Sequence, residues 1–113
     1  MKTYHNHRAE PYFTFLKNGQ KTIESRVKKS KYKNIKPGDI ITVHNNEETD
    51  SVNVIVRRVS TYSSIKDLLE SEELKRVLPD VDSIEQVIEI YRKFYTSKQE
   101  SKYGMVAIEI EVI

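Results

Sequence analysis

The sequence predicts a small α+β domain, a mixed β-barrel with peripheral helices. About five segments have the pattern of strands, and the helices fall between early and late strands instead of alternating with them one by one. A regular alternation would indicate a parallel sheet, so its absence favours the mixed barrel. The length of 113 residues suits one hydrophobic core. We therefore expect a single domain over residues 1–113.

The composition excludes several classes of protein. Hydrophobic residues make up 37% of the chain and charged residues 32%, which is typical of a thin core under a solvated surface. No apolar run approaches the roughly 18 residues that span a bilayer, and residues 1–10 are too polar for a signal peptide. We therefore expect a cytoplasmic protein without a membrane partner. The absence of cysteine excludes disulfides, thiolate zinc sites and a cysteine nucleophile.

The first third of the chain predicts a helix and then a strand. Residues 10–19 are typical of a short helix, with Pro11 in the first turn and Gly19 just past the end. Residues 21–27 alternate between apolar and polar side chains, which indicates a half-buried strand.

The middle of the chain predicts a hairpin. A Pro-Gly turn at residues 37–38 precedes a buried strand over residues 40–43. Residues 45–50 form a polar loop, and residues 52–58 alternate as a longer strand. We expect these two strands to pair.

The last part of the chain predicts three helices and a closing strand. Residues 65–69 follow a serine cap, and residues 72–78 form a second short helix that stops before a proline. Residues 84–95 place their apolar side chains on one face of a longer helix. Residues 105–113 form a strongly apolar strand.

Charge is distributed unevenly along the chain. Residues 1–36 carry ten Lys and Arg against two Asp and Glu, a net charge of +8, whereas residues 37–113 have a net charge of −6. A basic block of this kind is typical of a nucleic-acid surface. The alternative is that basic and acidic segments neutralise each other across the folded surface.

The sharpest local motif has the pattern G-x-K-x-x-E-x-R and begins at Gly19. A glycine lets the backbone turn sharply, after which Lys21 and Arg26 can converge on an anion with Glu24 fixing the pair. Strand alternation puts Lys21 on the face opposite Glu24, but its position at the strand start lets the stem bend round. We predict that the three charged residues point into one cleft. The alternative is an ion pair that only anchors the barrel.

A lysine-rich segment follows the motif and surrounds one aromatic residue. Basic side chains interleaved with a stacking aromatic suit single-stranded RNA or a tRNA surface. The alternative is a solvated lysine loop. The predicted RNA-binding residues of this segment are Lys29, Lys31, Tyr32 and Lys33.

Two other groups of residues are assigned no functional role. His5 and His7 would share one face of an initial strand, but two imidazoles make only a weak metal site, and we expect neither a metal nor a cofactor. Tyr91, Phe94 and Tyr95 fall at helical spacing, which favours helix core over a stacking platform.

The motif at residues 19–26 resembles that of the ASCH family. The resemblance extends through the turn at residues 35–39, the long strand ending at Tyr62, the Val-Leu-Pro at residues 77–79 and residues 103–108. It implies a barrel of the PUA-like kind whose central cleft binds RNA or a modified nucleoside. A role in RNA metabolism, or in regulation linked to translation or transcription, would follow.

The same resemblance implies an alternative enzymatic function, since related activities include RNA cleavage and deacetylation of 4-acetylcytidine. Lys21 would be the base, and a distal acidic residue among Glu70, Glu72 and Glu73 would assist, of which we choose Glu72. The deacetylating subgroup has a threonine nucleophile where this chain has Glu24. The catalytic candidates are therefore Lys21, Glu24 and Glu72, and the departure at Glu24 argues against efficient deacetylation.

The leading hypothesis is an RNA- or nucleoside-binding module with its site at Lys21, Glu24 and Arg26. The second hypothesis is an enzyme that uses Lys21 as its base. The third is a protein-interaction domain that contacts its partner through the acidic residues 70–82.

Overall fold

A computed structural model describes all of residues 1–113 and contains five strands and five α-helices. The strands are β1 (Thr3–Arg8), β2 (Ile23–Val27), β3 (Ile40–Asn45), β4 (Ser51–Tyr62) and β5 (Met105–Val112). The helices are α1 (Tyr12–Lys17), α2 (Ile65–Ser71), α3 (Leu74–Val77), α4 (Ile84–Tyr91) and α5 (Ser97–Tyr103), with a 3-10 turn at Ser30–Lys33.

All five strands form one sheet in the order β1-β3-β4-β5-β2. The β1 and β3 strands are parallel, and the other three neighbouring pairs are antiparallel. A register shift between Val56 and Arg58 interrupts the β4–β5 ladder, and a bulge of this kind bends a strand and increases its twist. The sheet is a curled half-barrel with helices around it, which confirms the predicted mixed α+β fold.

Each face of the sheet packs against its own hydrophobic core. Alternation along β5 sends Val106 and Ile108 to the core beneath α1, and Met105 and Ala107 to the core beneath α2, α3 and α4. The first core consists of Phe13, Leu16, Ile35, Ile41, Val43, Val54, Val56, Val106, Ile108 and Ile110. The second consists of Ile23, Val27, Ile65, Leu68, Leu69, Val77, Leu78, Val81, Val87, Met105 and Ala107.

The predicted half-burial of β2 is wrong. Ile23, Ser25 and Val27 are buried on one face as expected, but Glu24 on the opposite face is also only 3% exposed. The helical layer covers one face, and the curl of the sheet brings the edge of β1 over the other. Strand β2 therefore holds polar side chains inside the protein.

The predicted helix over residues 84–95 is too long. Helix α4 ends at Tyr91, and a separate helix, α5, follows after a short connection. A capping box at Thr96 begins α5: its side chain accepts from the Gln99 backbone N–H while the Gln99 side chain accepts from the Thr96 N–H. This Thr-x-x-Gln pattern was the signal in the sequence for the missed helix.

None of the helices is both long and apolar enough to cross a membrane.

Candidate functional site

The curled sheet does not close, and side chains instead of backbone hydrogen bonds bridge its two edge strands. Arg8 at the end of β1 donates to the carboxylate of Glu24 on β2. The Tyr32 hydroxyl, just beyond β2, donates to Asn6 Oδ1 on β1 at 3.2 Å. The gap between β1 and β2 is thus lined by polar groups.

A cleft of about 460 Å³ opens at this gap. Its charged residues are Arg8, Lys21, Glu24 and Arg26, so the structure brings the three charged residues of the motif together in one cleft. Helix α4 and the connection to α5 supply an aromatic and apolar wall opposite them. Its aromatic members are Tyr91, Phe94 and Tyr95.

Lys21 reaches the cleft because it precedes the first residue of β2 and is not bound by strand alternation. Its Nζ donates to the backbone carbonyls of Ile23 at 2.9 Å and Val77 at 2.5 Å, and it lies 3.5 Å from Glu24 Oε1. Burial lowers the pKa of Lys21, and the Glu24 carboxylate opposes that shift. The ammonium is therefore held by two carbonyls in a site that disfavours its charge.

Glu24 lies among three cations. One carboxylate oxygen accepts from Arg8 and lies 3.5 Å from an Arg26 nitrogen, while Oε1 accepts no hydrogen bond. Burial raises the pKa of Glu24, and Lys21 opposes the shift. The net charge of the Lys21–Glu24 pair is zero whether it is ionised or neutral. Arg8 and Arg26 therefore keep the cleft positive in either state.

Arg26 is held over an aromatic ring with part of its guanidinium accessible. Its Cζ atom lies 5.3 Å from the centroid of the Tyr32 ring, and Nη1 donates to the Tyr95 hydroxyl at 3.5 Å. The side chain is 19% exposed. A planar guanidinium fixed in this way can donate to phosphate or to a base edge.

The three aromatic residues of the cleft wall were predicted to lie in a helix core, and the structure shows a different environment for them. Tyr91 is tied to β2 by a hydrogen bond between its hydroxyl and Ser25 Oγ, and burial raises its pKa. Tyr95 is partly buried, as expected. Phe94, however, is 72% exposed at the rim of the cleft, because α4 ends before it and the chain turns away from the core.

The predicted lysine segment lies beside the cleft and does not line it. Lys31 Nζ donates to the His5 carbonyl and lies 5.6 Å from the Tyr32 ring; burial and the neighbouring Arg26 lower its pKa. Lys33 is exposed, and Lys29 is half-buried near a different ring.

The structure places Glu72 outside the cleft. Its carboxylate accepts two hydrogen bonds from Arg58, at 2.7 and 2.9 Å, and one from the Tyr62 hydroxyl at 2.5 Å. These contacts hold the pKa of Glu72 below its usual range. Glu70 and Glu73 are exposed. The three acidic candidates therefore do not join Lys21 and Glu24.

The histidines of β1 meet a third histidine on β3. His5 Nδ1 lies 3.2 Å from His44 Nε2, and His7 Nε2 lies 2.8 Å from a Glu48 oxygen. No group of three or more His, Asp or Glu side chains is arranged to hold a metal ion.

Sequence reasoning missed Arg8 and the three aromatic residues of the cleft wall, Tyr91, Phe94 and Tyr95. Arg8 carries no local motif, and only the curl of the sheet brings it to Glu24, 16 residues away along the chain. Phe94 had the right residue type but was assigned to the core, because its exposure depends on where α4 ends.

Comparisons with known proteins agree with this fold. The model of the ASCH domain family matches residues 8–113. The crystal structure of hypothetical protein PH0355 is 43% identical, with all of both chains covered and a TM-score of 0.88. The solution structure of protein PF0455 from Pyrococcus furiosus is 38% identical over 98% of this chain and 97% of that one, with a TM-score of 0.79.

A more distant structure shares the fold alone. The ASCH domain from Lactobacillus crispatus is 15% identical, covers 96% of this chain and 79% of that one, and has a TM-score of 0.58. No curated protein matches the chain.

Proposed function

The chain belongs to the ASCH family, and from that premise we propose that it binds RNA by taking one nucleotide, or a modified nucleoside, into the cleft between β1 and β2. The observation that carries the proposal is the pairing of a positive, buried ion cluster with an aromatic wall in one cleft. Phosphate or a base edge would face the cluster, and the base would face the aromatic rings.

The charges of the cleft favour an anionic ligand that also carries hydrogen-bond donors. Arg8 and Arg26 give it two positive charges beyond the Lys21–Glu24 pair, and partly buried guanidinium groups bind phosphate well. Glu24 Oε1 is buried without a hydrogen bond, and a buried acceptor without a donor destabilises the folded protein. A ligand that donates a hydrogen bond to Oε1 would remove this penalty. A nucleotide offers both phosphate oxygens and base N–H groups.

The apolar side of the cleft favours a planar ligand. Phe94 is exposed at the rim, whereas Tyr91 and Tyr95 are held in place by hydrogen bonds to Ser25 and Arg26. Stacking of a base on an aromatic side chain contributes about 1–3 kcal/mol and tolerates any base. The volume of about 460 Å³ is within the range of small-molecule sites.

One observation favours an enzyme as the second candidate. Burial lowers the pKa of Lys21, which is the property that a lysine base needs in a 4-acetylcytidine amidohydrolase or a ribonuclease. Two backbone carbonyls and Glu24 nevertheless surround Nζ, and these contacts stabilise the protonated form. We therefore rank binding above catalysis.

Binding is tested with an eight-nucleotide single-stranded RNA of mixed sequence, labelled with fluorescein and followed by anisotropy. Arg26→Gln is expected to weaken binding about 10-fold or more, since a charge-assisted contact contributes about 1.5–3 kcal/mol. The matched control is Arg57→Gln, because Arg57 is half-exposed on β4 and pairs only with Glu111. Equal affinity of the two variants would overturn the proposal.

The contribution of the lysine segment is measured from the salt dependence of the same binding. Each phosphate contact to a single strand adds about 0.7 to the slope of log K against log salt. Replacing all three lysines by glutamine is therefore expected to lower the slope by up to about 2. An unchanged slope would exclude the segment from the binding surface. The replaced residues are Lys29, Lys31 and Lys33.

A further inference from the structure

A second aromatic residue lies between lysine ammonium groups at the far end of β2. Tyr103 is the last residue of α5 and is 38% exposed. Lys29 Nζ lies 5.7 Å and Lys102 Nζ lies 5.2 Å from the centroid of its ring. We call Tyr103, Lys29 and Lys102 the Tyr103 platform. It is separate from the cleft, and none of its residues lines that cavity.

The backbone fixes the point at which the Tyr103 side chain leaves α5. Gly104 has φ +74° and ψ −179°, a conformation that essentially only glycine adopts, and its Cα faces the Tyr62 carbonyl so closely that a Cβ would lie 3.1 Å from the oxygen. The Gly104 carbonyl also accepts from the Lys28 backbone N–H at 2.9 Å. The end of α5 is therefore attached to the end of β2.

The platform carries positive charge that no carboxylate neutralises. None of the ion pairs of the protein includes Lys28, Lys29 or Lys102. Lysine side chains are flexible. An ammonium that lies near the ring can therefore move to a phosphate when a base stacks on the ring in place of the ammonium. Unpaired lysines around an exposed aromatic are the combination that single-stranded nucleic acid uses.

The platform is also within reach of the cleft. Arg26 lines the cleft, and Lys29 follows it by three residues across a bend in which the Lys29 N–H donates to the Val27 carbonyl at 2.8 Å. Three residues span at most about 10 Å, so Lys29 lies within that distance of Arg26. Tyr32 and Lys31 lie beside Arg26. A basic and aromatic track thus leads from the cleft to Tyr103.

We propose that the Tyr103 platform stacks on a base that flanks the nucleotide in the cleft, so that the ligand is a single-stranded RNA segment and not a free nucleoside. This inference rests on the proposed function of the cleft. The inference distinguishes single-stranded RNA from a free nucleoside, because a free nucleoside cannot occupy the cleft and the Tyr103 platform at once.

The test compares the labelled octanucleotide with the four common ribonucleoside 5′-monophosphates as competitors. Tyr103→Ala is expected to weaken octanucleotide binding about 10-fold, which is within the range for loss of one base stack. The inhibition constants of the monophosphates are expected to stay unchanged. Tyr103→Phe keeps the ring and is expected to bind like the unmodified protein. Lys102→Gln is expected to lower the salt slope by about 0.7, whereas Lys66→Gln, on α2, leaves it unchanged.

The outcomes separate the platform from the cleft. If Tyr103→Ala binds the octanucleotide with full affinity and Arg26→Gln binds it more weakly, the proposed role of the platform is overturned and the proposed role of the cleft stands. Loss in Tyr103→Ala together with full affinity in Arg26→Gln would overturn the cleft and, with it, the flanking position of the stacked base, and would leave Tyr103 as an RNA contact independent of the cleft. No octanucleotide binding by the unmodified protein would overturn both. Circular dichroism of each variant checks that the fold is intact.

Discussion

Glu72→Gln tests whether this acidic residue is structural, as its contacts indicate, or belongs to the binding site. The Glu72 side chain is 6% exposed and accepts three hydrogen bonds, two from Arg58 and one from Tyr62. An amide keeps one acceptor but turns an NH₂ group toward a donor. We therefore expect loss of stability without loss of binding in the cleft.

The magnitude follows from the surroundings of the ion pair. A hydrogen bond to a charged group contributes about 1.5–3 kcal/mol. Arg58 is 38% exposed, which weakens the pair, and it keeps hydrogen bonds to Glu109 at 2.9 Å and Ser60 at 2.7 Å after the change. We expect the free energy of unfolding to fall by about 2 kcal/mol and Tm to fall by about 8 °C.

Urea denaturation followed by far-UV circular dichroism at pH 7 and pH 3 measures this loss. Arg58 depresses the pKa of Glu72 in the folded state below the unfolded value of about 4.3, so the pair stabilises the protein above that pH. This stability is lost as the pH falls through the folded pKa. The difference between variant and unmodified protein is therefore expected at pH 7 and shrinks at pH 3.

Glu70→Gln is the matched control, since Glu70 lies on α2 two residues before Glu72, is 53% exposed and pairs with Lys66 only at 3.9 Å. Its change in unfolding free energy is expected to stay within about 0.5 kcal/mol. The reasoning fails if Glu72→Gln is as stable as the control, or if it weakens RNA binding while remaining stable.

Three further outcomes are expected. Tyr91→Phe removes the hydroxyl that bonds the buried Ser25, and we expect urea denaturation to show a loss of about 1 kcal/mol; no loss would mean that this bond does not hold α4 on β2. Gly104→Ala forces an alanine into φ +74° against the Tyr62 carbonyl, so a loss of about 1–3 kcal/mol is expected, and equal stability would contradict the described backbone. Incubation with 4-acetylcytidine is expected to release little or no cytidine, and robust release that disappears in Lys21→Ala would move the enzyme above the binding module.

Local pattern in the sequence accounts for most of the secondary structure. Alternation identified β2 and β4, the Pro-Gly turn located the start of β3, and the serine cap located α2, because each signal acts within a few residues. The errors also have local causes. The apolar face of α4 continues in sequence through Tyr95, so periodicity alone could not reveal that the helix ends at Tyr91.

The sequence by itself also identified a charged motif around Lys21 and Glu24 as the candidate site. Only the tertiary structure decided its composition, because the curl of the sheet brings Arg8 of β1 onto Glu24 of β2 although the two strands share no ladder. The same curl buries the ion cluster, and burial is what shifts the pKa values of Lys21 and Glu24. Burial and long-range pairing depend on the whole fold, whereas residue type and spacing are local.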